Sequence, residues 1–362
     1  MSKTAFYSFY LLYAVALVYL AITLPIGPNE AFVYYATDDY TLRVLTHFAN
    51  GWFENGLSFR LPFLFFGLIN VPLFYIMSKY YFETKEESYF ATMIFALLPG
   101  IITSAVLVNI AVVVVTLVLL FLIFYEYRRV YCGVVVMVLL LFIHDASIIF
   151  FIGLSLFAIS KRDKLLFVFS LFFSTVSLIY FNKLDIGGRP SGEFMELIAL
   201  YVALFSPLVF IYFFYALYRI WLREKKDILW YISFTAFLLS ILLSLRQQVI
   251  MTDFAPYVIV AVVLMVLVYQ RTVQVRLPQF QKYYKWGHKI VVGSLFIMTF
   301  IIVFHQLFFS LIKDKSKHFA YPFYQPYWQV QELREIGENC YTVKNLKRQY
   351  QLKYYGIEAC QE

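Results

Sequence analysis

Charge is what this sequence has least of. Lysine, arginine, aspartate and glutamate together make up 14% of its 362 residues, against about 25% in a soluble domain that must wet its own surface. The deficit excludes a soluble fold. Hydrophobic residues reach 62% and mean hydropathy is +0.73, more apolar side chain than even a large core can hide, so lipid must be the solvent for much of the chain. Cysteine is also scarce, with Cys132 in an apolar run and Cys340 and Cys360 in the polar tail. No metal-type spacing exists among the three, so the cysteines give no metal site; no cofactor is expected, with the use of a divalent metal left open. Nor is a cleavable leader expected. The apolar stretch from Ala5 to Leu24 is long for a signal peptide and no A-x-A site follows it, so it reads as a retained first helix. No internal repeat is evident, which disfavours a two-halved transporter. The one glycine-rich loop, KLDIGGRPSGE, is too short for a nucleotide and does not join a strand to a helix, which excludes a P-loop or dinucleotide fingerprint.

What is present fits a membrane. The 40 Phe, 31 Tyr and 5 Trp suit interfaces where a ring and its polar tip are wetted differently. The net charge of +8 is spread in short clusters between apolar runs, which excludes nucleic acid as a partner. Apolar runs at 5–25, 59–78, 88–106, 107–125, 130–143, 145–160, 165–181, 194–220, 228–245, 249–270 and 290–312 are candidate spans, about eleven in all. With the N-terminus in the cytoplasm, that side collects Lys79, Lys85, Arg128, Arg129, Lys161, Arg162, Lys164, Arg223, Lys225 and Lys226. It also takes Arg271, Arg276, Lys282, Lys285 and Lys289. The outer loops before the tail keep only Arg43, Arg60, Lys183, Arg189 and Arg246, the bias of the positive-inside rule. Merging 130–160 into one helix would reverse every later cluster.

The expected fold is therefore an all-α polytopic membrane protein of the inner (plasma) membrane, N-terminus in and C-terminus out. Residues 1–312 form the transmembrane domain and 313–362 a small packed extracytoplasmic appendage. The stretch from Arg271 to Lys289, with Tyr283 and Trp286, reads as a basic amphipathic segment lying on anionic lipid.

The first outer loop, 26–58, carries Glu30, Asp38, Asp39 and Glu54 with Arg43 and His47. Glu30, nearest the membrane exit, is the candidate general base on an acceptor hydroxyl or amine; the alternative is a solvated loop that needs charge. Because the loop lies outside the core, Glu30→Gln is expected to spare folding. His144 and Asp145 interrupt an apolar stretch, where ionisable groups are costly without a role. Asp253 follows Arg246 by seven residues, so a helix reaching back to Arg246 would put both on one face. Arg246 suits the phosphate of a polyprenyl carrier because its planar fork matches phosphate oxygens. Arg189 could serve an anionic substrate or sit in a plain connecting turn, and His305 reads as a packed interfacial histidine. Cys340 and Cys360, twenty residues apart in a segment placed outside, are expected to form a disulfide, with two unpaired thiols as the alternative.

From Glu30 onward the sequence resembles the GT-C superfamily of polytopic glycosyltransferases, protein O-mannosyltransferases and lipid A aminoarabinose transferases above all. The matching pieces are Asn29-Glu30-Ala31-Phe32-Val33-Tyr34-Tyr35, then Arg60-Leu61-Pro62, Leu97-Leu98-Pro99-Gly100, and Arg246 through Pro256. The resemblance spans most of 1–312. It implies a sugar taken from a polyprenyl-phosphate carrier, without a nucleotide cofactor, and placed on an envelope lipid, glycan or protein. It makes Glu30 catalytic and gives Arg60, His144 and Arg246 to substrate, while Asp38, Asp39, Asp253 and Arg189 are substrate-binding candidates from their own chemistry and position. Two departures stand out: Asn29 replaces the first of the family's acidic pair, and Asn109 lies where a second outer acidic residue is usual. Such a chain either does different chemistry or has become a non-transferring subunit. The latter would present a lipid-linked saccharide to a partner hydrolase, as in lipid A or Kdo processing. A lipid-saccharide flippase is the remaining alternative.

Overall fold

The computed structural model describes residues 2–53, 56–181 and 193–360. The first apolar run is α1 (Lys3–Thr23). Pro28 opens α2 (Pro28–Ala36) at a position whose missing N–H has no helical acceptor anyway. Asp39 starts α3 (Tyr40–Phe48) by accepting from the Leu42 N–H at 3.0 Å. After α4 (Leu57–Ser78), α5 (Lys85–Leu97) begins in a reciprocal cap between Thr84 and Glu87. It stops where Pro99 holds Leu98 extended, and α6 (Pro99–Val106) leaves at 62°. Short turns join α7 (Ala111–Glu126), α8 (Val130–Ile143), α9 (Ile148–Lys161) and α10 (Lys164–Phe181), so consecutive members return as neighbours. Between α8 and α9 lies a tight turn at Asp145–Ser147.

The segment expected as one span at 194–220 is broken. Helices α11 (Phe194–Phe205) and α12 (Pro207–Arg223) meet at 103° about Ser206, whose φ of 77° lies in the region L side chains avoid. Then come α13 (Ile228–Ser244), and α14 (Met251–Val258) continuing through one tight turn into α15 (Val262–Gln274). Helix α16 (Pro278–Val303) starts ahead of the expected 290, so much of the basic amphipathic segment is continuous with it. Helices α17 (His305–Leu311), α18 (Tyr321–Ile336) and α19 (Leu346–Tyr354) end the chain.

Among the described residues, four helical stretches can cross a bilayer by length and composition: α1, α4, residues 251–274 and α16, or six if each bent pair is one span. Helices α7, α8, α10 and α13 are apolar but shorter; fourteen residues reach about 21 Å, short of a hydrocarbon core of about 30 Å.

The chain divides into two compact units. One comprises Met1–Phe9, Ile69–Ile101 and Ile110–Met298; the other comprises Tyr10–Leu68, Ile102–Asn109 and Thr299–Glu362. In the first, α13 packs on α9, α14 on α7 and α15 on α12, around fully buried Phe150, Phe151, Tyr201, Phe205, Phe213 and Tyr257. Residues 251–274 run through its middle, 78% buried, whereas α16 is 11% buried and shows its sides outward. In the second unit the tail shares its body with the first loop, α19 lying on α2. Val330, Leu333, Leu352 and Ile357 give the tail a small core of its own. In the same unit a Cβ added to Gly67 of α4 would stand 2.3 Å from Ala105 Cβ of α6, a helix contact that only small residues allow.

Candidate functional site

In the second unit the two most conspicuous ionised groups are bound to each other. Glu30, in the first turn of α2, folds back so that Oε2 accepts from the Gly27 N–H at 2.8 Å. Its Oε1 accepts at 3.1 Å from the Val108 N–H in the turn after α6. Arg60, in the first turn of α4, donates from Nε to Oε1 at 2.9 Å and from Nη2 to Oε2 at 2.5 Å. Its remaining donors reach the open carbonyls at the end of α1: Nη1 to Ala21 and Leu24, Nη2 to Pro25. Arg60 is 0% exposed and Glu30 3%. A guanidinium has five N–H groups and a carboxylate about four lone-pair sites, and all are used. This corrects the sequence expectation. Arg60 keeps no donor for a carrier phosphate and Glu30 no lone pair for a substrate proton, so the pair joins four chain segments instead.

The rest of the first loop is tied down. Asn29 accepts from Lys347 Nζ at 2.8 Å. Ile26 donates its N–H to the Tyr355 hydroxyl (3.1 Å), and its carbonyl accepts from Gln351 Nε2 (2.8 Å). Asp39 is spent on capping α3, Asp38 is exposed in the turn before it, and His47 stacks on Tyr34 at 4.6 Å. An open cavity of about 800 Å³ in this unit is lined by Asn50, Ser58, Gln306, Arg334, Tyr34 and Tyr354, among others, without a carboxylate among its described lining residues. Tyr355 lines it as well, and burial pushes its hydroxyl up to about 12, so it stays neutral. His305 is buried, as a packed histidine should be, with Nε2 2.9 Å from the Tyr324 hydroxyl.

The first unit holds the other group. His144, at the end of α8 and 3% exposed, has Nδ1 2.9 Å from the Tyr257 hydroxyl and Nε2 3.7 Å from Asp253 Oδ1. The second distance is an ion-pair separation but too long for a hydrogen bond, and Nε2 has no hydrogen-bond partner. A Tyr257 hydroxyl that donates to Nδ1 leaves the imidazole proton on Nε2, facing Asp253. The Asp253 side chain is 34% exposed and sits in the first turn of α14, where the helix dipole favours a carboxylate. It does not share a helix with Arg246. That residue is exposed in the turn closing α13, and α14 begins only at Met251. Beside them Gln248 Nε2 donates to Glu196 at 2.8 Å. Arg189 and Glu54 lie outside the described residues.

Cys340 and Cys360 are joined in a disulfide, their Cα atoms 4.9 Å apart. Among the described residues no group of three or more His, Cys, Asp or Glu side chains is placed to hold a metal ion. Sequence reasoning missed Tyr257. Its spacing of four from Asp253, one helical turn on, was the available signal.

No protein-family model and no curated relative matches the chain. Among solved structures it is similar to ArnT from Cupriavidus metallidurans in the apo state, at 12% identity and a TM-score of 0.59, over 98% of this chain and 85% of ArnT. At this identity the likeness establishes the fold alone, and the fold is that of ArnT.

Proposed function

We propose that the chain is a membrane glycosyltransferase of the GT-C type. It takes a sugar from a polyprenyl-phosphate carrier and places it on an envelope lipid, glycan or protein at the outer face of the inner membrane. The observation that carries this reading is the fold shared with ArnT over 98% of the chain. Eleven crossings put α1's start in the cytoplasm and both the first loop and the tail outside. The bonds from Lys347 and Gln351 to Asn29 and Ile26 support one side for both. On this topology the turn holding His144 and the start of α14 also face outward. Asp253 is the base that takes the acceptor proton, because unlike Glu30 it is partly open. His144, held by Tyr257, orients Asp253, and exposed Arg246 neutralises the carrier phosphate.

A second reading has its own support. Asn29 cannot act as a base and the Glu30–Arg60 pair is saturated, which suits a subunit that binds a lipid-linked saccharide and presents it to a partner hydrolase. The test is mass spectrometry of envelope lipids and glycans from cells with and without the chain. Wild type adds a sugar, and Asp253→Asn lowers the product by about 10²-fold or more at unchanged protein level. Full activity in Asp253→Asn removes the base assignment. A wild-type chain that alters envelope glycans only when a second protein is present puts the subunit reading first.

A further inference from the structure

At the other charged end of the first unit, two cavities adjoin and share Tyr215 and Thr272 in their walls. The first, about 490 Å³ between α12 and the end of α15, is lined by Arg219, Arg223 and Arg276. The second, about 380 Å³ between α12, α15 and α16, is lined by Tyr212, Tyr269, Tyr283, Tyr284 and Gly287. No carboxylate lines either cavity among the described residues. Arg219 is fixed by Thr272 and by Glu224 at 3.4 Å, while Arg276 lies 3.6 Å over the ring of Tyr284, at the junction of the two spaces. A basic chamber opening into an aromatic slot is the negative image of an amphiphile with an anionic head.

We propose that these two cavities bind one anionic glycerophospholipid, its phosphate among Arg219, Arg223 and Arg276 and an acyl chain along the tyrosine slot. The guanidinium forks satisfy phosphate oxygens, and the slot takes the chain that a free phosphate lacks. The site is independent of the transfer reading, since none of its residues takes part in it.

The test is native mass spectrometry of the full chain in detergent, with phosphatidylglycerol and phosphatidylcholine of identical acyl chains. Phosphatidylglycerol is retained at least about tenfold better, and the preference falls to parity in Arg223→Gln/Arg276→Gln. Gly287 lines the slot and a Cβ there meets nothing within 4 Å, so Gly287→Trp adds bulk at the slot wall and reduces phosphatidylglycerol retention, with an unchanged thermal midpoint as the check on folding. Glycerol 3-phosphate at the same concentration does not displace the lipid. Equal retention of the two lipids, an unchanged preference in the double variant, or undiminished retention in Gly287→Trp overturns the proposal. Displacement by glycerol 3-phosphate removes the acyl slot and leaves a phosphate site only.

Discussion

Burying a guanidinium is tolerable only when every donor finds an acceptor, and Arg60 meets that condition through one carboxylate and three carbonyls. Removing either partner leaves an uncompensated charge, at a cost of about 3–5 kcal/mol. Glu30→Gln and Arg60→Gln are therefore both expected to lower the thermal midpoint in detergent, and Arg60→Lys nearly as far, since an ammonium cannot reach carbonyls and carboxylate together. The double variant should lose less than the sum of the singles. Additive losses would mean the two residues act separately. This reverses the expectation that Glu30→Gln spares folding. Sequence marked Glu30 by its place at the membrane exit and Arg60 only through the Arg-Leu-Pro resemblance. It could not reveal that the two pair with each other, because the acceptors at Ala21, Leu24 and Pro25 and the donor at Val108 are set by tertiary packing.

Single small residues decide how closely elements meet. Gly67 lets α4 touch α6, and any larger side chain must push them apart. Gly67→Leu should lower the thermal midpoint sharply, whereas Gly293→Leu on α16, where a Cβ meets nothing within 4 Å, should leave it unchanged; equal effects would show that the crossing is loose. The apolar runs were legible as helices because their lengths are local properties, but 88–106, expected as one span, bends at Pro99. The bend before Pro99 follows from proline's restriction of the residue ahead of it. The sharper bend at Ser206 also precedes a proline, Pro207, so the break follows from the same restriction, whereas the positive φ of the serine had no signal in the sequence. Asp253 and Tyr257 were separable only once α14 had a start, and that start fell after Arg246 rather than before it.

For the whole molecule, contacts of the tail with Ile26 and Asn29 make the side of the first loop and the side of the C-terminus one question. An even number of crossings must separate them, a condition that eleven spans satisfy and ten do not. In a Cys132→Ser background, cysteines introduced at exposed Asp38 and Lys344 should both react with an impermeant maleimide applied to intact spheroplasts. Reaction at one position alone would break the topology. Those same contacts bear on how the chain is made. Gln351 and Ile26 are 325 residues apart, and synthesis at roughly 5–20 residues per second puts about 16–65 s between their appearances. During that interval the first loop lacks its partners, so its completion is governed by the ribosome's progress rather than by its own folding rate. A chain cut short before α19 would leave that loop permanently open, and so open to proteolysis rather than stored.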